Sequence, residues 1–78
     1  MHKIDDKERH EVHDIINDTW QYFKHFSDIE DTDAYWSELI RTADEIWYRH
    51  DRHPLCRAYL EATMKYLEKQ VHEKRGTG

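Results

Sequence analysis

Four of the seven histidines in this 78-residue chain fall in two closely spaced pairs. The pairs are His10 with His13 and His50 with His53, each three positions apart. On one helix this spacing places two imidazoles on neighbouring positions. Four imidazoles, helped by a nearby carboxylate such as Glu11, could coordinate Zn²⁺ or another transition metal. The histidines therefore raise the hypothesis of a metal-binding protein, provided that the fold brings the two pairs to one end of the molecule.

Other features of the same segments weigh against a metal site. Pro54 suits the first position of a helix, so we expect His53 to lie outside the helix that holds His50. The zinc-protease pattern, with histidines at i and i+4 around a glutamate, is absent because the histidine after Glu11 is His13. His50 projects onto an apolar stripe, where we expect a boundary histidine bonded to a backbone carbonyl. A buried neutral ring there would make the fold less stable at acidic pH. We predict no bound metal or cofactor, and metal binding is the alternative.

Nucleophilic and hydrolytic chemistry has less support. Cys56 follows His53 at the start of a predicted helix, a setting that favours a thiolate. It also lies in the middle of an apolar arc, so we expect a buried structural cysteine. Glycine occurs only at positions 76 and 78, which excludes a phosphate-binding glycine loop, and neither serine lies between glycines. The sequence predicts a protein that is not an enzyme.

Residues 28–33 concentrate four carboxylates, those of Asp28, Glu30, Asp31 and Asp33. A calcium loop starting at Asp28 would need glycine and glutamate where the chain has Asp33 and Leu39. One interpretation is a solvated turn whose charge stabilises the following helix start. The other is an acidic docking surface for a basic partner, with exposed Tyr35 or Tyr48 as anchors.

The charge distribution limits the kinds of partner. The net charge is −5, with 14 acidic and 6 basic residues in 1–51 and 3 acidic and 6 basic residues in 52–78. An acidic domain repels phosphate, and the later basic residues alternate with glutamates, so no direct nucleic-acid binding is expected. No apolar stretch approaches the ~20 residues of a membrane span, and no signal-peptide core begins the chain. We expect a cytoplasmic protein that does not bind membranes.

Three segments are apolar on one helical face and predict an all-α, up-down-up three-helix bundle. The expected helices are at about 5–26, 32–50 and 54–73, in a single domain of residues 1–75 with a flexible tail at 76–78. The rival arrangement is a two-helix hairpin whose third helix completes the core of a dimer.

Apolar arcs define the expected core. In the first helix the arc comprises Val12, Ile15, Ile16, Thr19, Trp20, Tyr22, Phe23 and Phe26. The expected buried stripe of the second helix is Tyr35, Trp36, Leu39, Ile40, Ala43, Ile46 and Trp47. The third helix has the widest arc: Leu55, Cys56, Tyr59, Leu60, Ala62, Thr63, Met64, Tyr66, Leu67 and Val71. Such a helix requires cover from both other helices, and its width also suggests a homodimer. Thr32 or Asp31 is the expected N-cap of the second helix.

The core pattern also carries a family resemblance. It rests on Trp20 with Phe23, Tyr35-Trp36, His53-Pro54-Leu55 and Tyr66-Leu67-Glu68. In these residues the chain resembles small uncharacterised helical proteins of phages and integrative mobile elements of Gram-positive bacteria. The resemblance implies a bacterial cytoplasmic accessory protein and no particular activity.

Taken together, these patterns favour a non-enzymatic protein-interaction module. It would bind a protein partner or itself through aromatic-rich and acidic surface, with the partner residues Asp28, Glu30, Asp31, Asp33, Tyr35 and Tyr48. The alternatives are the metal-binding protein and an acidic nucleic-acid mimic that inhibits a basic protein.

Overall fold

Three helices make up most of the chain. The computed structural model of the protein describes residues 3–76, and the side chains of residues 3–71. The helices are α1 (Asp6–Phe26), α2 (Asp33–Arg49) and α3 (Pro54–Gly76). Within the described residues there is no strand, which confirms the predicted all-α class.

The helix ends agree closely with the predicted ones. Gly76 belongs to α3, although the sequence assigned it to a flexible tail, and positions 77 and 78 lie outside the described residues. Asp5 caps α1, because its carboxylate accepts a hydrogen bond from the Glu8 N–H at 2.8 Å. Thr32 is the N-cap of α2, because its hydroxyl accepts from the Tyr35 N–H at 3.1 Å. Local capping chemistry therefore marks where α1 and α2 start.

The connection between α2 and α3 is a tight turn without glycine. Asp51 and Arg52 both adopt left-handed backbone conformations, with φ angles of 54° and 55°. A left-handed residue with a side chain costs roughly 1–2 kcal/mol. The turn is stabilised by hydrogen bonds from the Asp51 N–H to the Tyr48 carbonyl at 3.1 Å and from the Arg52 N–H to the Trp47 carbonyl at 2.9 Å. These bonds end α2 and reverse the chain into α3.

Two tyrosines join α1 to α2 in antiparallel register. The Tyr35 hydroxyl donates to the Phe26 carbonyl at 2.6 Å, and the Tyr22 hydroxyl donates to the Leu39 carbonyl at 2.8 Å. Both tyrosines are buried. Each ring therefore fills the core while its hydroxyl ties the two helices together.

Helix α3 packs against both other helices. The rings of Phe23 and Tyr66 lie 6.2 Å apart, which places the later half of α1 beside the later half of α3. On the other side, the Cys56 Sγ is 4.0 Å from the Ile46 carbonyl, so the start of α3 meets the end of α2. The up-down-up bundle is confirmed, and its core closes within one chain. The rival hairpin, which required a second subunit to complete the core, is not adopted.

The buried core is narrower than the predicted arcs. It consists of Ile15, Tyr22, Phe26, Tyr35, Leu39, Ala43, Ile46, Cys56, Leu60, Leu67 and Val71, with Thr19. Ile40 was expected in the buried stripe of α2 but is 56% exposed. Trp36 and Trp47 are only partly buried. Three helices cover a limited arc of one another, so residues at the margins of each arc stay at the surface. No described helix is long and apolar enough to cross a bilayer.

Candidate interaction surface

Exposed apolar side chains form a strip along α1 and α3. We call Ile16, Trp20, Phe23, Tyr59 and Tyr66 the aromatic face. Phe23 is half-buried, whereas Trp20 and Tyr66 are 52% and 53% exposed. The Trp20 ring stacks on Phe23 at 6.0 Å, and Phe23 contacts Tyr66. The three rings therefore form one continuous surface across the two helices.

The helical register extends this surface by two turns. Ile16 lies seven positions before Phe23, and Tyr59 lies seven positions before Tyr66. Seven residues are close to two full turns of a helix. Ile16 therefore lies on the same face of α1 as Phe23, and Tyr59 lies on the same face of α3 as Tyr66, in each case about 10 Å earlier along the helix axis. Since α1 and α3 run parallel, Ile16 and Tyr59 lie at the same level. The half-exposed side chains present on the order of 400 Å² of apolar area, comparable to the largest patches of monomeric proteins.

The aromatic face is free of carboxylates, although the chain has 17 acidic residues. None of the positions three or four residues away from its five members on either helix is acidic. The charged neighbours at that spacing, histidine aside, are Lys24 and Lys69. The Lys24 ammonium lies 5.4 Å from the centre of the Trp20 ring, a cation–π distance. Two lysines therefore stand at the edge of this face, in a protein of net charge −5.

The predicted acidic surface is only partly assembled. Asp28 and Glu30 line a shallow, open depression together with Glu38 and His25. Asp31 instead accepts a hydrogen bond from the Trp36 indole at 3.4 Å. Asp33 is exposed in the first turn of α2, where its charge suits the helix dipole. The four carboxylates are therefore divided: Asp28 and Glu30 line the depression, whereas Asp31 and Asp33 belong to the start of α2.

The two tyrosines expected to anchor that surface do not do so together. Tyr35 is 9% exposed and its hydroxyl is bonded to the Phe26 carbonyl, so the expectation of an exposed Tyr35 anchor is wrong. Tyr48 is 64% exposed, as predicted. It lies 15 positions after Asp33 on α2, however, which places it roughly 22 Å along the helix. A partner in the acidic depression would therefore meet only the edge of Tyr35, which lines it, and would not reach Tyr48.

The first histidine pair stands on an open part of α1. His10 and His13 are exposed, and no described residue before Ile15 is buried. The His10 Nδ1 lies 3.0 Å from the Asp6 carbonyl, within its own helix. These two rings have neighbours from α1 rather than from α2.

The second pair is used in two different local contacts. The His50 Nε2 lies 2.6 Å from Asp18 Oδ2, so the expected backbone-carbonyl partner is wrong. The Arg49 guanidinium lies 3.6 Å from the same carboxylate oxygen. His53 acts at the start of α3, where its Nδ1 accepts a hydrogen bond from the Leu55 N–H at 3.1 Å. A carboxylate therefore stands beside the half-buried His50 ring, and the expected loss of stability at acidic pH stays a prediction.

The fold does not bring the two pairs together. His50 meets α1 at Asp18, eight positions after His10, which is roughly 12 Å along the helix. In the part of the chain that the structure describes, no group of three or more histidine, cysteine or carboxylate side chains is placed to hold a metal ion. The meeting of the two pairs at one site, expected as a possible arrangement from the topology, does not occur.

Cys56 is a core residue. It is fully buried, and this burial, followed by the charge of Asp18, raises the pKa of its thiol. The predicted packing role is confirmed. The thiolate-favouring effect of a helix start is outweighed by desolvation.

A small cleft between α2 and α3 was not predicted. It has a volume of about 210 Å³ and lies between Ala43, Trp47, Leu60 and Met64. No described residue accepts a hydrogen bond from the buried Trp47 indole N–H, and the Arg57 guanidinium lies 5.4 Å from the ring centre. The volume is below the roughly 300–1,000 Å³ of typical small-molecule sites. The cleft is therefore small for a ligand-binding site, and the aromatic face is the stronger candidate for a functional surface.

The aromatic face was also missed as a site, although all its members were recognised as apolar. The sequence feature that could have indicated this site is the width of the apolar arcs of α1 and α3, because those arcs are wider than two neighbouring helices can cover. Comparison with protein-family models, curated proteins and solved structures gave no match to this chain. Function must therefore be inferred from the surfaces themselves.

Proposed function

We propose that this protein is a non-enzymatic interaction module that binds a protein through the aromatic face. The carrying observation is the cluster of half-exposed rings that joins α1 to α3, centred on Trp20, Phe23 and Tyr66. Tryptophan and tyrosine are enriched among the residues that dominate binding energy at protein interfaces. An exposed apolar cluster of this size with a polar rim is characteristic of an interaction site.

The exposed apolar residues on the rest of the surface also favour the aromatic face as the binding site. Exposed apolar residues on α2 stand apart from one another, as Ile40 and Tyr48 do, and Asp44 lies four positions from each. On α1 and α3, Trp20, Phe23 and Tyr66 form a chain of ring contacts, and no member of the aromatic face has a carboxylate three or four positions away. A cytoplasmic accessory role in a bacterial mobile element, as the family resemblance implies, is compatible with such a module and stays a prediction.

Site-specific photo-crosslinking tests this function with a closely matched control. A benzoylphenylalanine replaces either Tyr66 or Tyr48, which are both exposed tyrosines on different sides of the bundle. In cells that express the chain, we expect the probe at position 66 to crosslink a discrete protein and the probe at 48 to give background. Equal labelling at both positions, or none at 66, would contradict the proposal.

The acidic depression is a second candidate surface. Asp28, Glu30 and Glu38 surround it, and this clustering favours a basic partner of the kind that a nucleic-acid mimic would inhibit. The test replaces the three carboxylates with their amides and measures whether the protein crosslinked at Tyr66 is still captured. Unchanged capture assigns binding to the aromatic face, whereas lost capture assigns it to the acidic depression.

A further inference from the structure

The cleft between α2 and α3 is small for most ligands, but it is large enough for a single ring. Its volume is about 210 Å³, and Ala43, Trp47, Leu60 and Met64 give it apolar walls. An apolar cavity of roughly 150 Å³ can bind benzene. The cleft lies between α2 and α3, whereas the aromatic face is formed by α1 and α3. It is therefore a separate candidate site.

One residue of this cleft has a hydrogen-bond donor that the described residues leave unpaired. The Trp47 indole N–H is buried, and none of those residues accepts a hydrogen bond from it. Trp36 is also half-buried on α2, yet its indole N–H donates to Asp31 at 3.4 Å. A buried donor without an acceptor is unfavourable. A ligand that brings an acceptor to Trp47 therefore gains a polar contact in addition to the apolar walls.

The charged residues that line the cleft limit the charge of such a ligand. Arg57 is paired with Glu61, whose Oε1 lies 2.8 Å from the Arg57 Nε, and Asp44 supplies a second carboxylate. These lining residues together carry one positive and two negative charges, which disfavours an anion. A cationic ring nitrogen carries a proton and cannot accept from the Trp47 N–H. A neutral ring with an acceptor atom satisfies both conditions.

The Arg57 side chain lies over the Trp47 ring and can move to admit a ligand. Its guanidinium is 5.4 Å from the ring centre. The side chains of Arg57 and Glu61 are 63% and 48% exposed. Exposed ion pairs contribute little to stability, so a shift of this guanidinium costs little free energy. Entry of a ring therefore does not require α2 and α3 to separate.

We propose that the α2–α3 cleft binds a small neutral aromatic molecule that carries an acceptor atom, either an unprotonated ring nitrogen or a carbonyl oxygen. The ring packs against Leu60 and Met64, and the acceptor receives the hydrogen bond of the Trp47 indole N–H. This inference concerns a second site and goes beyond the function proposed for the aromatic face.

Pyridine and benzene test the inference as a matched pair of probes. They have the same shape, but only pyridine has an acceptor, and its ring nitrogen is unprotonated at neutral pH. NMR titration of the full chain follows the indole N–H resonances of the three tryptophans, and the Trp47→Phe variant identifies the one from Trp47. We expect pyridine to bind with a Kd on the order of a few millimolar and to move this resonance downfield. Benzene should bind without the downfield shift.

Substitutions on α2 locate the acceptor contact. Trp47→Phe keeps an aromatic ring but removes the donor, so it should weaken pyridine binding about fivefold relative to benzene binding. Trp36→Phe is the matched control on the same helix, and it should leave both Kd values unchanged. Ala43→Leu fills the cleft and should abolish binding of both probes. Met64→Phe fills the cleft from α3 and replaces Ala43→Leu if circular dichroism shows that the bundle is lost.

Several results would overturn the inference. Binding of neither probe, up to the solubility of benzene, excludes a site for a small ring. Equal losses of pyridine and benzene binding in Trp47→Phe exclude the indole N–H as the contact. A shift of the Trp20 resonance in place of the Trp47 resonance assigns the probes to the aromatic face. A long-lived water at the Trp47 N–H that pyridine does not displace identifies water as the acceptor. Crosslinking at Tyr66 is measured separately, so the proposed function is judged on its own result.

Discussion

The α1–α2 interface and the α1–α3 face use the same residue types in opposite ways. Between α1 and α2, Tyr22 and Tyr35 are buried and both hydroxyls donate to backbone carbonyls. Along α1 and α3, Trp20, Tyr59 and Tyr66 keep between 37% and 53% of their surface exposed. The difference shows that aromatic content alone does not identify a core. A ring contributes to folding where a neighbouring helix covers it, and it is available for binding where no helix does.

The largest expected difference between the two regions is in thiol reactivity. Burial raises the pKa of Cys56, so both its access to reagent and its thiolate fraction are low in the folded protein. Native Cys56 should react with iodoacetamide on the order of 10³-fold more slowly than in denaturant, because reaction requires unfolding. A cysteine introduced as Tyr66→Cys in a Cys56→Ala background should react in the folded state without such protection. Mass spectrometry of timed samples measures both rates, and equal rates would remove the distinction.

Adjacent isoleucines on α1 give the next largest contrast. Ile15 is 0% exposed, whereas Ile16 is 44% exposed on the aromatic face. Ile15→Ala should lower the free energy of unfolding by about 3 kcal/mol, because it leaves a cavity in the core. Ile16→Ala should lower it by less than about 1 kcal/mol. Urea titrations followed by circular dichroism provide the values. Similar losses for the two variants would mean that the aromatic face is part of the core.

Tyrosine hydroxyls give a smaller contrast. Tyr22→Phe removes a buried hydrogen bond to the Leu39 carbonyl and should cost about 1 kcal/mol of folding free energy. Tyr66→Phe, on the exposed face, should have no measurable effect on stability. The same urea titrations separate the two, and a loss at Tyr66 that matched the loss at Tyr22 would contradict the assignment.

Alkaline pH should distinguish the buried tyrosines further. Burial raises the pKa of Tyr22 well above its ordinary value of about 10, with smaller contributions from Tyr35 and Asp44. Above pH 10 the unfolded chain loses this proton while the folded protein retains it, so stability falls as pH rises. Below pH 10 the contribution is fully present. Tyr22→Phe should show a shallower decline of unfolding free energy between pH 10 and 11, and an unchanged slope would show that Tyr22 does not cause it.

The smallest effect is expected on the outer side of α2. Arg41 pairs with Glu38 and Glu45, and all three side chains are exposed. Exposed ion pairs contribute little to stability. Arg41→Gln should leave the Tm within the error of a melt at physiological salt. A clear loss would mean that the surface of α2 contributes to folding more than its exposure suggests.

Much of the secondary structure could be predicted because its signals are local. Thr32 and Pro54 mark helix starts through chemistry confined to one turn, and both lie where the sequence indicated. The first helix was expected from about residue 5, where Asp5 is its N-cap. The turn at Asp51 and Arg52 had no such signal, because neither residue is a glycine and both adopt left-handed conformations. Its geometry is held by hydrogen bonds from the end of α2, which the turn residues alone do not predict.

The candidate site could be predicted only in its components. Tyr35 and Trp20 both lie on apolar arcs, yet Tyr35 is 9% exposed and Trp20 is 52% exposed. His50 was expected to bond a carbonyl, but the antiparallel register of α1 places Asp18 beside it instead. In each case the outcome depends on where a second helix lies.

The amino-acid sequence by itself therefore determined that three amphipathic helices form, where they begin and which arc of each is apolar. Helical periodicity and capping depend on residues within a few positions of one another, so they can be read along the chain. Tertiary structure alone decided which part of each arc is covered, because coverage depends on the register and spacing of helices that are distant in sequence. That choice buried Tyr22 and Tyr35 between α1 and α2, and it left the aromatic face uncovered by any helix within residues 3–76.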